Sequence, residues 1–181
     1  MSVSSARDSA GVFAVASPES TRSREIVWQD PVPTAAAGAR MAGLDYVRAV
    51  QSGDLPPPPI AVLMNYRIAE IEEGLAVFIG EPGEEHYNPI GVVHGGYAST
   101  ILDSALGCAV HTTCAQGEGY TSQTLEVKYL HGITRETGAV SAEAEVIHRG
   151  RRTATSEARL TSVQTGKLLA TGTSTCLILE A

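Results

Sequence analysis

The sequence predicts an α+β domain in which an antiparallel sheet of about six strands packs around one long helix. A single amphipathic helix pattern stands in the middle of the chain, from Asn88 to about Thr113. Stretches in which apolar and polar residues alternate lie on both sides of it, and links of hairpin length separate the later ones. Strands joined by such short links pair antiparallel. The expected order is strand, strand, helix and four further strands.

The central stretch reads NPIGVVHGGYASTILDSALGCAVHTT and combines a loop, two adjacent glycines and a helix. Asn88-Pro89 and Gly91 are typical of a loop. Gly95 and Gly96 stand where the helix begins, so side chains do not cover its first N–H groups. With the positive end of the helix dipole, these groups can bind negative charge. Apolar residues then recur at helical offsets of three and four: Ala98, Ile101, Leu102, Ala105, Leu106 and Ala109.

Asp103 is the one acidic residue of this helix. It follows Gly96 by seven residues, which places both on the same side of the helix, two turns apart. A carboxylate beside a hydrophobic core is costly unless it is paired or hydrated. Asp103 is therefore either an ordinary solvated residue or a group with a function.

The chain before the domain divides into a tail and a helix. Residues 1–30 are rich in Ser with scattered Arg, Gly and Pro and show no sustained period, so we predict a disordered tail. Its Ser and Arg content also resembles that of a transit peptide, but its acidic residues argue against that reading. Residues 31–55 are expected to form a helix and a linker, with Thr34 as the cap, Gln51 near the end and Gly53 beyond it.

The domain itself is expected to run from residue 56 to residue 181. A long strand, Ile60 to Ile71, is predicted to form a hairpin with Leu75–Gly80. After the helix, period-two alternation predicts four more strands, the first of them half-buried. Glycine-containing turns, HRGR and TG, join the last three. The approximate bounds of these strands are Leu125–Tyr129, Val140–Val146, Thr153–Thr161 and Leu168–Leu179.

Composition and charge argue against several classes of protein. A hydrophobic fraction of 43% is enough for a core, and a formal net charge of -7 argues against nucleic acid as a partner, because that binding needs a basic face. No apolar run approaches the ~18 residues of a membrane helix, and Gly11–Ala16 is too short for a signal peptide. The three cysteines lack metal-site spacing, so we expect a cytoplasmic protein without disulfides.

Asn88, His94-Gly95-Gly96 and Asp103, at these spacings, resemble the active-site stretch of hotdog-fold acyl-CoA thioesterases of the phenylacetyl-CoA, or PaaI, type. The segments TSQTLEVKYL, GAVSAEAEVIHRGRRTATSEARL and TGKLLATGTSTCLIL resemble the strands that follow the helix in this family. The likeness runs from about residue 56 to the C-terminus. It implies a hotdog fold, acyl-CoA as substrate, no cofactor or metal ion, and a homodimer that often pairs again into a homotetramer.

Thioester hydrolysis passes through a tetrahedral oxyanion, so it needs an anion-stabilising pocket and a nucleophile or base with a held water. The Gly95 and Gly96 amides are the candidates for binding the thioester oxygen. Asp103 either attacks the carbonyl carbon or takes a proton from water, and the sequence leaves both routes open. The resemblance places Asn88 near the reaction centre, where it donates to the carbonyl or positions the water.

His94 and Ser122 are weaker candidates for the active site. His94 precedes the helix, where a lone His is usually structural, so we expect it to orient the loop rather than to act as a base. Ser122 stands at the start of the next strand, where some relatives in the family hold the water with a hydroxyl group.

Arg149, Arg151 and Arg152 cluster in one turn of an otherwise acidic chain. They form either an ordinary charged hairpin tip or a clasp for the phosphates of coenzyme A, since guanidinium groups pair well with phosphate. By resemblance the acyl group is aromatic, with a medium-chain aliphatic group as the alternative.

A different class of protein remains open, a non-catalytic acyl-CoA-binding sensor or scaffold with the same fold. The combination of Asp103 with Asn88 and the HGG motif favours the enzyme. A hydratase of this fold is a weaker alternative, because its usual Asp and His pair at the helix start is missing.

Helix geometry predicts that each active site is built from two chains. Gly96 and Asp103 are ~10 Å apart along the axis at 1.5 Å per residue, whereas a reacting carbon lies within ~3–3.5 Å of its nucleophile. A two-fold dimer with antiparallel helices brings each helix start close to the Asp103 of the other chain.

Overall fold

The computed structural model describes residues 21–180, and its elements follow the predicted order from residue 66 onward. The helices are α1 (Pro31–Gly38), α2 (Gly43–Ser52), α3 (Pro59–Met64) and α4 (Gly95–His111). The strands are β1 (Tyr66–Glu72), β2 (Leu75–Gly80), β3 (Glu118–Tyr129), β4 (Val140–Arg149), β5 (Thr153–Ser162) and β6 (Leu168–Glu180). Within residues 21–180, no helix is long and apolar enough to cross a membrane.

One antiparallel sheet holds all six of these strands, in the order β1-β2-β4-β5-β6-β3. Strands β4, β5 and β6 pair in sequence, whereas β3 lies at the far edge beside β6. Helix α4 packs against all six strands and forms the centre of the core. The predicted architecture, an antiparallel sheet of about six strands around one long helix, is confirmed.

The apolar side of α4 is closed off completely by the sheet. On the sheet, Ala142 and Ala144 of β4 are fully buried beneath the helix. A Cβ on Gly172 of β6 would lie only 3.3 Å from a methyl carbon of Leu106. Small residues on the sheet therefore let the helix lie close to it, and each large side chain buried this way contributes ~1.5–3 kcal/mol. Of the six helix residues that the spacing predicted, Ala98 has 2% exposure and the other five have 0%: Ile101, Leu102, Ala105, Leu106 and Ala109. Val110, which the spacing did not select, is also fully buried.

The predicted single helix near the N-terminus is wrong in two respects. It is two helices, and the first begins at Pro31, where the Asp30 carboxylate, not Thr34, caps it by accepting from the Val32 N–H at 2.9 Å. Proline suits the first turn of a helix because its missing N–H would have no partner there. The second helix ends as predicted before Gly53, whose φ of 87° is left-handed.

The first half of the strand predicted from Ile60 to Ile71 is also wrong, because residues 59–64 form the short helix α3. An apolar run without clear alternation is compatible with either structure. Pro59 stands in the first turn of the helix, and Asn65 ends it with a φ of 53°. The strand therefore begins only at Tyr66, and its hairpin with Leu75–Gly80 forms as predicted.

The predicted disordered tail falls largely outside the described residues, since the structure begins at residue 21. Residues 21–30 form no helix or strand, but Arg24 contacts the domain. Its guanidinium donates to the Val62 carbonyl at 3.0 Å and the Leu63 carbonyl at 3.4 Å, and pairs with Glu85 at 2.5 Å. Carbonyls at the end of a helix lack helical partners, so a cation there is favourable.

Strand β3 forms where predicted, but it is not half-buried in the single chain. Leu125 is 39% exposed and Tyr129 is 57% exposed. Of the apolar residues predicted to alternate, Val127 packs partly against the core, and Tyr120 near the start of the strand does the same. The physical reason is the position of β3 at the edge of the sheet, where one side has no neighbouring strand. Its alternating apolar residues therefore leave apolar surface exposed along the edge of the sheet.

We predict that Gly43→Ala destabilises the protein by roughly 1–3 kcal/mol, as overpacking does. Helix α2 docks where the Gly43 N–H donates to the Cys114 carbonyl at 2.9 Å, and a Cβ there would lie 1.8 Å from the His111 carbonyl oxygen. Thermal unfolding should show a loss of several degrees. The control is Gly119→Ala, since a Cβ on Gly119 meets nothing within 4 Å. Equal losses in both variants would mean that this close approach is not required.

Candidate active site

The start of α4 offers one free backbone donor rather than the two expected. His94 caps the helix, and its Nδ1 accepts from the Gly96 N–H at 2.8 Å. The Gly95 N–H stands at the first helical position, and no group of residues 21–180 accepts its proton. His94 thus shapes the turn into the helix, as expected, while Gly95 presents the donor at the positive end of the helix dipole.

Asn88 shapes the loop that leads to this helix. Its side-chain oxygen accepts from the N–H groups of Ile90 at 3.1 Å and Val92 at 3.2 Å. Its own N–H donates to the Val92 carbonyl at 2.8 Å, which closes the turn. The oxygen is therefore committed to the loop, whereas no bond within residues 21–180 uses the side-chain NH₂ of Asn88. A substrate or water oxygen can accept from that group.

Tyr129, which sequence reasoning did not select, lies directly at the helix start. Its hydroxyl donates to the Gly95 carbonyl at 3.2 Å and lies 2.5 Å from Ser99 Oγ. A Cβ on Gly95 would approach the tyrosine ring to 3.2 Å. Gly95 and Tyr129 line a small cavity of about 260 Å³. The alternation in β3 put Tyr129 on one face of its strand, but it could not show which helix residue that face meets.

Asp103 and Ser122, both predicted site residues, are brought together by the packing of α4 beside β3. The Ser122 hydroxyl donates to Asp103 Oδ1 at 3.3 Å. Both side chains line a second, larger cavity of about 600 Å³. The Asp103 carboxylate therefore faces a space large enough for a ligand, and one of its oxygens is oriented by a hydroxyl group.

Most of the wall of this larger cavity is apolar and comes from α2, α3, β1 and β2. Polar side chains interrupt it: the hydroxyl groups of Tyr46, Tyr66, Ser104, Tyr120 and Ser122, and the charged or amide groups of Arg24, Gln51, Asn65 and Arg67. The Cys108 thiol also lines the cavity, but burial raises its pKa to about 12. A thiol that stays protonated is a poor nucleophile. The apolar lining residues are Val47, Val50, Pro57, Pro58, Ala61, Val62, Ile68 and Phe78.

The two cavities share no lining residue. Gly95 belongs to the smaller one and Asp103 to the larger one. Eight residues along α4 separate them, which corresponds to ~12 Å at 1.5 Å per residue. Within one chain, the free amide and the carboxylate therefore do not face a common reacting atom.

The three arginines of the β4–β5 turn differ in their surroundings. Arg149 pairs with Glu118 at 2.8 Å, and its side chain is only 23% exposed. Arg151 and Arg152 are exposed. The turn lies at the opposite end of α4 from Gly95, because Ala154 beside it packs with Val110 near the end of the helix. Of the predicted clasp, only Arg151 and Arg152 present their guanidinium groups to solvent.

No metal centre is apparent at these sites. Among residues 21–180, no group of three or more His, Cys, Asp or Glu side chains is placed to hold a metal ion.

Comparison with known proteins identifies the family. A profile described as thioesterase superfamily matches residues 90–169. A 1,4-dihydroxy-2-naphthoyl-CoA hydrolase from Listeria monocytogenes is 30% identical over 106 residues, which span 59% of this chain and 84% of that protein. The chain belongs to the thioesterase superfamily. Human acyl-coenzyme A thioesterase 13 is 33% identical to it over 89 residues, which span 49% of this chain and 62% of that protein.

Solved structures agree with the fold of this thioesterase. A phenylacetic acid degradation-related protein from Ralstonia eutropha superimposes with a TM-score of 0.66 at 26% identity, covering 73% of this chain and 98% of that one. A mutant of the phenylacetic acid degradation protein PaaI from Thermus thermophilus gives a TM-score of 0.60 at 28% identity, covering 66% of this chain and 98% of that one. The predictions of a hotdog fold, of PaaI-type relatives and of an acyl-CoA thioesterase are confirmed.

The part of the chain outside the family profile contributes to the site. The profile begins at residue 90, whereas α2, α3 and β1 supply most of the apolar wall around Asp103. The sequence prediction of a linker and a strand in this region did not reveal that wall. No local signal could have done so, because the wall forms only when the N-terminal helices fold back onto α4.

Proposed function

We propose that this thioesterase hydrolyses acyl-CoA thioesters to the free acid and coenzyme A, and that the acyl group is aromatic or of medium chain length. The observation that carries the proposal is the position of Asp103 on the wall of a cavity of about 600 Å³ that is otherwise mostly apolar. An apolar pocket with a few converging polar groups is typical of a small-molecule site. From this position the Asp103 carboxylate can act on the thioester of a substrate whose apolar acyl group lies in the pocket.

An aromatic acyl group is the first choice for this cavity. Four aromatic side chains face it, and the rings of Tyr66 and Phe78 meet edge to face at a centroid distance of 5.8 Å. Rings favour other rings in offset or edge-to-face contact. The name of the Listeria relative also describes an aromatic acyl group. A medium-chain aliphatic group is the alternative, and it would gain from the same apolar wall.

In the proposed reaction the thioester oxygen accepts from the Gly95 N–H at the start of α4, with the NH₂ of Asn88 as a further donor. These groups stabilise the oxyanion as the carbonyl carbon becomes tetrahedral. Asp103 either attacks that carbon or takes the proton of a water that attacks it, and Ser122 orients the carboxylate. In the water route, the carbon–sulfur bond then breaks, and the thiolate of coenzyme A receives the proton that Asp103 took from the water. In the direct route, the same bond breaks to give the thiolate and an anhydride between the acyl group and Asp103, and a water then hydrolyses this anhydride to the free acid and supplies the proton of the thiol. Both routes for Asp103 remain part of the proposal.

Each active site is proposed to combine two chains. A thioester carbon held at the Gly95 amide is ~12 Å from the Asp103 of the same helix, beyond the ~3–3.5 Å that attack requires. The separate cavities around these two residues support this view. In a homodimer, or in a homotetramer made of such dimers, the Gly95 amide of one chain and the Asp103 carboxylate of the other would form one site.

The exposed edge strand β3 is the proposed contact between the chains. An edge strand presents unpaired N–H and C=O groups that can bond to a second strand. At one end of β3, Ser122 bonds to Asp103, and at the other end Tyr129 bonds to Gly95. If two β3 strands pair antiparallel about a two-fold axis near their middle, Tyr129 of one chain faces Ser122 of the other. The same pairing brings the free amide of one helix towards Asp103 of its partner.

The β4–β5 turn is proposed to bind the phosphates of coenzyme A through Arg151 and Arg152. The turn lies at the end of α4 away from its own Gly95, so an antiparallel dimer moves it towards the other chain's helix start. Arg149 has a different role, because its ion pair with Glu118 ties the turn to the beginning of β3. A cytoplasmic location stays a prediction from composition.

We predict that Asp103→Asn keeps the fold and acyl-CoA binding but lowers kcat by roughly two decades or more, because a group acting in proton transfer or attack is lost. Released thiol and calorimetric binding provide the two measurements. Asp45→Asn, which removes an exposed acid from α2, is the matched control. Near-normal turnover by Asp103→Asn would move the chemistry elsewhere and would favour the alternative of a non-catalytic acyl-CoA sensor.

We predict that Arg151→Ala with Arg152→Ala raises KM more than it lowers kcat, since these groups act far from the bond that breaks. The effect should shrink for an acyl pantetheine thioester, which lacks the nucleotide phosphates. Arg159→Ala removes an exposed arginine of β5 and controls for the change in overall charge. Equal losses on acyl-CoA and acyl pantetheine would contradict the phosphate clasp.

We predict that two inactive variants restore activity when they share a dimer. Gly95→Pro deletes the free N–H at a position where proline suits the helix, and the preceding His94, with φ -61° and ψ 138°, already has the conformation that proline requires. The second variant is Asp103→Asn. In a mixed dimer one site combines an intact amide with an intact carboxylate, and the other site carries both defects.

Mixed dimers can be isolated with two different affinity tags, one on each variant. On the shared-site model they should show about half of the wild-type activity per dimer, because one of the two sites is whole. Each variant alone should be inactive but folded, with a small loss of melting temperature for Gly95→Pro, because its Cβ would lie 3.2 Å from the Tyr129 ring. Pure mixed dimers without activity would rule out a site shared between chains.

A further inference from the structure

Arg24 lies outside the matched family profile, but its side chain contacts two parts of the candidate site. It belongs to residues 21–30, which form no helix or strand, and it lines the larger cavity. Its guanidinium donates to the carbonyls of Val62 and Leu63 at the end of α3 and pairs with Glu85. One nitrogen, Nη1, contacts both the Leu63 carbonyl, at 3.4 Å, and the Glu85 carboxylate, at 2.5 Å. Arg24 therefore bridges a wall of the cavity and the turn that carries Glu85.

The turn that carries Glu85 leads directly to the start of α4. Its residues, Glu84–His86, form a short 3-10 helix. The His86 carbonyl accepts from the His94 N–H at 2.8 Å. His94 caps α4 and immediately precedes the free amide of Gly95. The position of this turn therefore helps to set the position of the helix start.

The His86 side chain joins the same turn to both α3 and α4. Its Nδ1 accepts from the Gly83 N–H at 2.9 Å, so in the neutral ring the proton is on Nε2. Nε2 lies 3.3 Å from the Leu63 carbonyl and donates to it. The ring packs against that of Tyr97 in the first turn of α4, with the centroids 4.9 Å apart. The Leu63 carbonyl thus accepts from His86 and from Arg24, and it connects the cavity wall with the helix start.

The charge of Arg24 allows these groups to lie together. A carboxylate and the free carbonyls at the end of a helix are both negative, so they repel unless a donor or a cation lies between them. The guanidinium is both, because it is charged and donates to oxygen atoms on either side. Without it, Glu85 would move away from the end of α3, and the backbone that holds His94 would move with it.

We propose that Arg24 is a positioning residue for the thioesterase reaction. Through Glu85 and the Leu63 carbonyl, it keeps residues 84–94 where the Gly95 amide can bind the thioester oxygen. The inference rests on the proposed function, since it concerns the same free amide. It goes beyond that function by assigning a role in turnover to a residue of the N-terminal segment, which lies outside the family profile.

The first test is Arg24→Ala, assayed by release of free thiol at a temperature well below the melting transition. A displacement of ~1 Å at a reaction centre can lower the rate by about 100-fold, so we expect a smaller displacement to lower kcat by about tenfold. KM should change by less than about twofold, because the amide acts mainly on the oxyanion of the transition state. Arg24→Lys keeps a cation that can lie between the same oxygen atoms, so this variant should retain most of the activity.

A double variant tests whether Arg24 acts through Glu85. Adding Glu85→Gln to Arg24→Ala removes the carboxylate charge that Arg24 no longer neutralises, and the glutamine amide can donate to the Leu63 carbonyl. The double variant should therefore recover most of the lost kcat, whereas independent roles would make the two losses add.

The matched control is Arg22→Ala, which removes the same charge from the same segment. Arg22 pairs with Glu84 at 3.0 Å, and the two side chains are 68% and 65% exposed. Ion pairs with this exposure are screened by water and contribute little. Arg22→Ala should therefore keep a kcat close to that of the wild-type protein.

Hydrogen exchange separates this inference from the proposed function, because it needs no turnover. In Arg24→Ala, the amides of residues 83–94 should exchange faster, whereas those of β4 to β6 should not change. This pattern supports the positioning of the helix start by Arg24 even if the wild-type protein hydrolyses no acyl-CoA, in which case only the proposed function fails.

Several results would overturn the inference and leave the proposed function standing. One is unchanged exchange at residues 83–94 together with a normal kcat in Arg24→Ala. Others are a loss of kcat in Arg22→Ala as large as that in Arg24→Ala, and a double variant without recovery. A lower melting temperature with a normal kcat would show that Arg24 only stabilises the fold.

Discussion

The positions of the candidate functional groups on α4 depend on the burial of this helix against the sheet. Its apolar side is fully enclosed, and the small residues of β4 and β6 hold it close enough that a single added methyl group on Gly172 would press on Leu106. The helix therefore cannot rotate or slide without losing core contacts. Its fixed position determines where the Gly95 amide, the Asp103 carboxylate and the Ser104 hydroxyl lie.

The same constraint separates the two groups that are proposed to act in the reaction, the Gly95 amide and the Asp103 carboxylate. A straight helix holds Gly95 and Asp103 ~12 Å apart, and each faces its own cavity. The edge strand β3 runs beside the helix and contacts both ends of this span, through Tyr129 at one and Ser122 at the other. Its exposed backbone edge is the part of the thioesterase best suited to pair with a second copy. In the proposed two-chain site, this one strand would couple catalysis to assembly.

Helices α2 and α3 cover the side of α4 that carries Asp103 and so form a pocket there. Without α2 and α3, the Asp103 side of α4 would lack most of its apolar wall. The contact of Gly43 with the carbonyl of His111 sets how closely α2 approaches, and Arg24 ties residues 21–30 to the end of α3. These segments lie outside the matched family profile. They therefore shape the proposed substrate pocket from outside the segment that the family profile matches.

The sequence by itself determined α4, the hairpins of β4 to β6 and the loop at Asn88, because helical spacing, alternation and turn residues act between neighbours in the chain. It predicted α3 wrongly, since a short apolar run suits helix and strand alike. Only the tertiary structure decided which distant residues meet: Tyr129 with Gly95, Tyr66 with Ser104, and Arg149 with Glu118. Such contacts join residues about thirty or more positions apart, so they depend on how whole elements pack, and no local pattern encodes them.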